Sequence, residues 1–278
     1  MDMNFNARRF AFGAFVSSAI FVVGSAFANE QAKEAVKDDS IATDRPDFVE
    51  SSNTVGKGRF QVEASFAYER NNLDGVKDRT WSTPFLLRYG VSDDWEVRFE
   101  TDGHISARSD DSASGMHIKQ TGFADSSLGV KWHAMDEANG MPSLGFLFHL
   151  DVASGSSAFR GKGVRPSVRM VAEWDLPQDM SLGLMPGIML DKTATGERFT
   201  SGIFGIVLGK GWTDQLRSFV EISMPQIASN KYGGTVAAFT VGAAYLLTKD
   251  VQIDTALSRG LNNRTPNWSW TVGLSAKF

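Results

Sequence analysis

The 278-residue sequence predicts an all-β fold, an antiparallel transmembrane β-barrel of about twelve strands behind an N-terminal signal peptide. Three features carry that expectation: apolar and polar residues alternate with a period of two in stretch after stretch, the connections alternate between long and short, and aromatic residues gather at the stretch ends. Composition sets the frame. With 42% apolar residues the chain is too apolar to be disordered, and with no cysteine it has no disulfide, thiolate metal site or thiol nucleophile. Lys and Arg number 28 against 32 Asp and Glu, with no clustered basic run, which sets nucleic acid aside as a partner.

Residues 1–28 read as a signal peptide. Arg8 and Arg9 precede an apolar stretch from Phe10 to Val23, and Gly24-Ser25-Ala26-Phe27-Ala28 offers an A-x-A site with cleavage after Ala28. The apolar stretch is shorter than the roughly 20 residues a spanning helix needs. Removing residues 1–28 leaves 26 basic and 31 acidic residues and no further stretch long enough for a membrane helix.

The alternation begins at Phe60, Val62, Ala64, Phe66 and Tyr68, opposite Gln61, Glu63, Ser65 and Glu69. Trp81 to Val91 gives a second apolar row. Trp95, Val97, Phe99, Thr101 and Ile105 give a third, opposite Glu96, Arg98, Glu100, Asp102 and His104. Further rows follow at Leu128 to Trp132, Leu144 to Val152, Val168 to Leu176, Leu182 to Leu190, Val220 with Ile222, Phe239 to Leu247, Val251 to Leu257 and Trp268 to Phe278. Residues 199–209 are apolar on both parities, and Phe204, Ile206 and Leu208 are placed outward. Stretches of about 9 to 13 residues exceed an ordinary soluble strand and match a tilted crossing of a bilayer.

The connections Ser92-Asp93-Asp94, Pro177-Gln178-Asp179 and Thr248-Lys249-Asp250 are short, whereas 70–79, 107–121 and 154–164 are long. Tyr89, Trp95, Trp132, Trp174, Tyr245 and Phe278 lie toward the short turns, and Tyr68, Trp81, Trp268 and Trp270 toward the long loops, drawing two interfacial girdles. An exported soluble sandwich would have to bury the ring-bearing face, and twelve strands enclose too wide an interior for that. The alternation runs to Phe278, an ending that resembles the terminal strand recognised by the outer-membrane assembly machinery, one expected partner alongside outer-membrane lipids.

A more specific resemblance begins at Ala42-Thr43-Asp44-Arg45-Pro46-Asp47-Phe48-Val49-Glu50-Ser51, continues through Asn53-Thr54-Val55 and Gly58-Arg59-Phe60-Gln61-Val62-Glu63, and recurs at Gly122-Phe123-Ala124-Asp125, Leu128-Gly129-Val130-Lys131-Trp132, and Asp254 with Arg259-Gly260-Leu261-Asn262. These motifs resemble the outer-membrane transporters named for the meta-pathway of phenol degradation, with His133 where that family often carries a basic residue. The resemblance implies an outer-membrane barrel that takes up small, often aromatic, compounds.

The chain then divides into a signal peptide (1–28), an N-terminal segment (29–58) and a barrel (59–278). Within the segment, Thr43 to Glu50 is charged and interrupted by Pro46, so it forms no strand. Two readings stand: a solvated periplasmic lead-in, or a plug in which Asp44, Arg45 and Asp47 fold into the barrel and pair with lumen charges. The inward row is the candidate translocation site. Glu63, Glu96, Glu100, Asp125, Asp151, Glu173, Glu221 and Asp254 face Arg88, Arg98, Lys131, Arg169 and Lys277, with His149 among them. Opposite signs on facing strands are expected to pair and hold the barrel's shape, and the acidic excess weakly favours cations. Twelve strands tilted by about 40° enclose a cylinder roughly 24 Å across, which inward side chains narrow to a small-solute passage.

Two other functions stand beside this one. A lipid hydrolase would need Ser and His on the exterior at the headgroup level, but no G-x-S-x-G elbow occurs, His117 falls in a loop and His104, His133 and His149 fall on the inward parity. A closed structural or adhesive barrel would act through polar loops such as 106–120 and 154–163. No catalytic residue, metal site or cofactor is expected: His149 and Asp151 near Asp125 lack a zinc ligand set, and Gly155, Gly161 and Gly163 lack the spacing of a phosphate loop.

Overall fold

Strand β1 (Phe60–Leu73) is where the sheet closes on itself. It pairs antiparallel with the last strand, β15 (Trp268–Lys277), from Gln61↔Lys277 to Arg70↔Trp268, and on its other edge with β2 (Val76–Ser82) and β3 (Phe85–Gly90). The computed structural model describes residues 40–278; the signal peptide expected over 1–28, its cleavage site and residues 29–39 lie outside them. The order runs on through β4 (Trp95–Thr101), β5 (His104–Asp111), β6 (His117–Phe123), β7 (Ser126–Met135), β8 (Ser143–Val152), β9 (Arg165–Leu176) and β10 (Met180–Lys192). It ends with β11 (Arg198–Gly211), β12 (Leu216–Ile227), β13 (Val236–Thr248), β14 (Val251–Gly260) and β15. Three pairs of segments, β2 with β3, β4 with β5 and β6 with β7, are halves of interrupted strands. The described residues therefore form a closed barrel of twelve antiparallel strands. Full closure leaves no lipid-facing edge along the spanning strands, the condition for a sheet to exist in hydrocarbon.

The expected outward rows face outward. Val97, Phe99, Leu128, Phe148, Leu150, Val220, Val241, Leu257 and Leu274 are exposed, as lipid-facing side chains are when no lipid is present. Rings stack across strands near the short turns, Trp95 on Trp132 and Trp132 on Phe146, each at 5.6 Å. Toward the long loops, Tyr68 meets Trp81 at 4.2 Å.

Two expectations are corrected. The long connections 70–79 and 107–121 are largely strand: β1 and β2 run up to the turn at Asp74-Gly75, and β5 and β6 form a hairpin beyond the membrane band. The alternation also changes phase in the third strand. Phe85 pairs with Thr101, but Ser82 pairs with Ile105, so one extra residue is accommodated between Thr101 and Ile105. Pro84 cannot donate to the ladder there, and Gly103 lies at φ 67 with Thr83 where a Cβ would be. The bulge turns Ile105 inward and His104 outward, where its ring meets Phe123 edge-on at 5.5 Å, reversing the expected faces of both.

Candidate translocation lumen

The N-terminal segment lies across the barrel interior. Ile41 N donates to Lys249 O at a short turn, and Gly58 N donates to Gly90 O where the chain rejoins the wall. Between these points the segment has no ladder with any strand, as Pro46 and its charged neighbours dictate. It is held by inward side chains.

Asp44 is the centre of the charged contacts. Its carboxylate lies 2.8 Å from Lys131 Nζ, 2.8 Å from Arg98 Nη1 and 3.3 Å from Arg88 Nη1, and accepts from Ser51 N at 2.8 Å. Burial pushes the Asp44 carboxyl up, but Arg88, Lys131 and Arg98 together outweigh it and hold the group well below the usual carboxylate range. Around this centre Arg88 also pairs with Glu96 at 2.8 Å and Glu63 at 3.1 Å, and Arg98 with Glu50 at 2.6 Å and Glu100 at 2.9 Å. Arg88, Lys131, Glu63 and Glu96 are fully buried. Arg45 reaches the other wall, donating to Asp254 at 3.2 Å and Thr271 at 2.8 Å, and Asp47 lies 3.9 Å from Arg217.

The wall carboxylates do more than pair with facing bases. Glu63 accepts from Asp44 N at 3.1 Å, Glu221 from Phe48 N and Val49 N at 2.9 and 2.8 Å, Glu173 from Ser52 N at 2.6 Å and Glu96 from Val55 N at 3.0 Å. Four inward acids thus satisfy the amides of a segment that has no secondary structure to satisfy them. The acidic excess of the lumen is thus drawn against the segment, where four of its carboxylates accept from backbone amides. The basic side also holds segment carbonyls, Arg88 at Ala42 O and Asn53 O, and Lys131 at Ser51 O.

Opposite the charged wall lies an apolar one that the alternation did not predict. Leu147, Val171, Met185, Val207, Phe219 and Ala256 point inward from β8, β9, β10, β11, β12 and β14 and pack around Val49, with Phe48 against them. Burying Val49 contributes about 2 kcal/mol, and the half-buried Phe48 contributes less than full burial would. Inward glycines make the room. A Cβ at Gly205 would stand 2.6 Å from Val49 and 3.1 Å from the Phe48 ring, and one at Gly145 would stand 2.8 Å from Ser52 O. The signal for this patch was present where both parities were apolar, in residues 199–209.

The remaining candidates lie toward the long loops. Asp125 ties the 153–164 loop inward by accepting from Gly155 N and Gly161 N at 2.9 Å and from Arg165 at 3.0 Å, with Asp151 3.8 Å from the same Arg165. His149 Nε2 lies 2.8 Å from Glu100, and Arg169 donates to Glu50 at 2.6 Å. Lys277 is inward and buried. His133 Nδ1 lies 3.1 Å from Ser52 O. Arg45, Glu100, Asp151, Arg165 and Arg169, with Leu86, Ile105 and Phe159, line a cavity of about 620 Å³ above the segment. Among the described residues no group of three or more His, Asp or Glu is placed to hold a metal ion.

The same architecture recurs in solved membrane barrels. The chain is similar to the COG4313 outer membrane channel from Pseudomonas putida F1, with a TM-score of 0.63 at 13% identity over 82% of this chain and 98% of that one. It is also similar to the NanC porin, with a TM-score of 0.51 at 12% identity over 79% and 100% of the two chains, and to the β domain of the Bordetella autotransporter BrkA, with a TM-score of 0.52 at 13% identity over 79% and 99%. No curated protein sequence matches it. At these identities the likeness concerns the fold: a barrel of the outer-membrane type. Matched from residue 43 to residue 278, the chain belongs to the family described as "Putative MetA-pathway of phenol degradation".

Proposed function

We propose that this protein is an outer-membrane channel for small aromatic or apolar solutes, and that residues 41–58 are its plug. The observation that carries the reading is how that segment is held. From Ala42 to Lys57 its bonds to the wall all involve a side chain, and backbone-to-backbone bonds to the wall occur only at its two ends, Ile41 and Gly58. An obstruction attached in this way leaves without breaking the barrel's ladders, whereas a permanently closed barrel has no need of such a segment.

The cavity of about 620 Å³ above the plug is of the size that takes a small ligand, and it combines apolar Leu86, Ile105 and Phe159 with arginines and with the carboxylates Glu100, Asp102, Asp125 and Asp151. That mixture suits a ring bearing a polar group. The COG4313 relative is described as a channel, and a family description that refers to phenol degradation agrees with an aromatic cargo. Outer-membrane lipids surround the exposed outer face, and the assembly machinery engages the terminal strand ending at Phe278. Deleting residues 29–57 and recording single-channel conductance tests the plug: a rise is expected, and unchanged conductance rejects it. Liposome swelling with phenol or benzoate tests the channel, since a closed structural barrel gives none with or without the segment.

A further inference from the structure

The wall facing the bilayer carries a second chemical feature, visible only once the register is known. Reading across β14, β15, β1, β2, β5 and β6, directly opposed residues run Arg259, Trp268, Arg70, Arg79, Arg108 and Lys119. Residues directly opposed on antiparallel strands share a face. This face is the outer one, because the next row down is Leu257, Trp270, Tyr68, Trp81, Ser106 and Thr121, whose rings point toward lipid, with Tyr68 packed on Trp81. Five cations thus lie in one belt, two residues or about 7 Å along the strands beyond an aromatic girdle. That is the level of the headgroups, on the side of the long loops.

The charges of this belt are left largely unanswered by the protein. Asp110 lies 3.1 Å from Arg108 and 3.8 Å from Arg79, and Arg259 rests over the Trp268 ring at 4.9 Å while donating to Asn267 O. Among the described residues neither Arg70 nor Lys119 meets a carboxylate. Like charges directly opposed across a ladder destabilise it, and here four stand in succession, Arg70, Arg79, Arg108 and Lys119. Elsewhere among the described strands no more than two cations oppose each other in a row, as Lys192 does Arg198.

We propose that this belt is a binding surface for a phosphomonoester-bearing lipid of the outer leaflet, whose phosphates sit against Arg70, Arg79, Arg108 and Lys119 while its acyl chains cover the aromatic and apolar rows beneath. Arginine forks match phosphate oxygens, and the adjacent rings match the boundary between headgroup and hydrocarbon. A soluble anion satisfies the first condition and not the second.

Native mass spectrometry of the detergent-solubilised protein with bisphosphoryl lipid A, dephosphorylated lipid A and inorganic phosphate tests this. Bisphosphoryl lipid A is expected to bind, and R70Q/R79Q/R108Q/K119Q to weaken it by about tenfold or more. K192Q/R198Q is expected to bind as the parent does. Heat-modifiable gel migration reports that each barrel is folded. Should the quadruple variant not fold, R70Q/K119Q, which touches no carboxylate of the protein, is read in its place with a loss of about threefold or more. Equal binding of the dephosphorylated lipid, unchanged binding in the folded variants, or competition by inorganic phosphate on equal terms overturns the proposal.

Discussion

The two walls of the lumen grip the same segment by different physics. On the side of β1, β3, β4 and β7, buried Glu63, Arg88, Glu96, Arg98 and Lys131 surround one carboxylate, Asp44, and the contacts are directional and mostly charged. On the side of β8 to β12, Leu147, Val171, Met185, Val207 and Phe219 surround the Val49 side chain by non-directional burial, and Glu173, Arg169 and Glu221 add directional contacts at Ser52 N, at Glu50 and at Phe48 N and Val49 N. The charged wall fixes where the segment sits, because three cations converge on one group. The apolar wall adds affinity while tolerating small displacements. A plug held by charges alone would leave a vacant ion cluster on release, and one held by apolar contacts alone would lack a fixed position.

The largest expected effect comes from breaking the charged side. Asp44→Ala leaves Arg88, Arg98 and Lys131 buried with one carboxylate fewer, which is expected to cost plug docking about 3–5 kcal/mol and to raise single-channel conductance toward that of the deletion. A conductance equal to the parent's would show that the apolar wall suffices. Next in size is Gly205→Leu, which drives a side chain into the space held by Val49 and Phe48. The expected cost is about 1–3 kcal/mol of docking, seen as frequent transient openings with barrel heat-modifiability retained. Val49→Ala is expected to cost about 1–2 kcal/mol and to give the same openings more rarely.

The smallest effect is expected from pH. The Asp44 carboxyl is held below its usual range when docked, so its contribution to docking is complete above the pKa of the released segment, about 3.9, and is lost only as pH falls through the lower docked value. Titration of Asp44 is therefore expected to contribute no conductance change from pH 8 to pH 5 in planar-bilayer recordings. Opening within that window would place control on a group other than Asp44.

Much of the barrel was legible in the sequence because a bilayer enforces a strict period of two and leaves rings at its interfaces. The inward row from Glu63 to Asp254 followed from parity. What those acids bind did not, since an amide from residue 48 or 52 reaching Glu221 or Glu173 is a long-range contact with no local signal. The apolar wall was hidden for a related reason: in β11 both faces are apolar, one toward lipid and one toward Val49, and alternation carries no information there.

Strand count, membrane-facing rows and family are all readable before folding, because each rests on a repeating local pattern or a run of contiguous motifs. It takes the closed barrel to put the segment around Asp44 inside and to bring Arg108 beside Arg70 and Arg79 on the outer face. One extra residue between Thr101 and Ile105 reverses every side chain beyond it, and pairing register is a property of two strands at once, which neither strand's sequence contains.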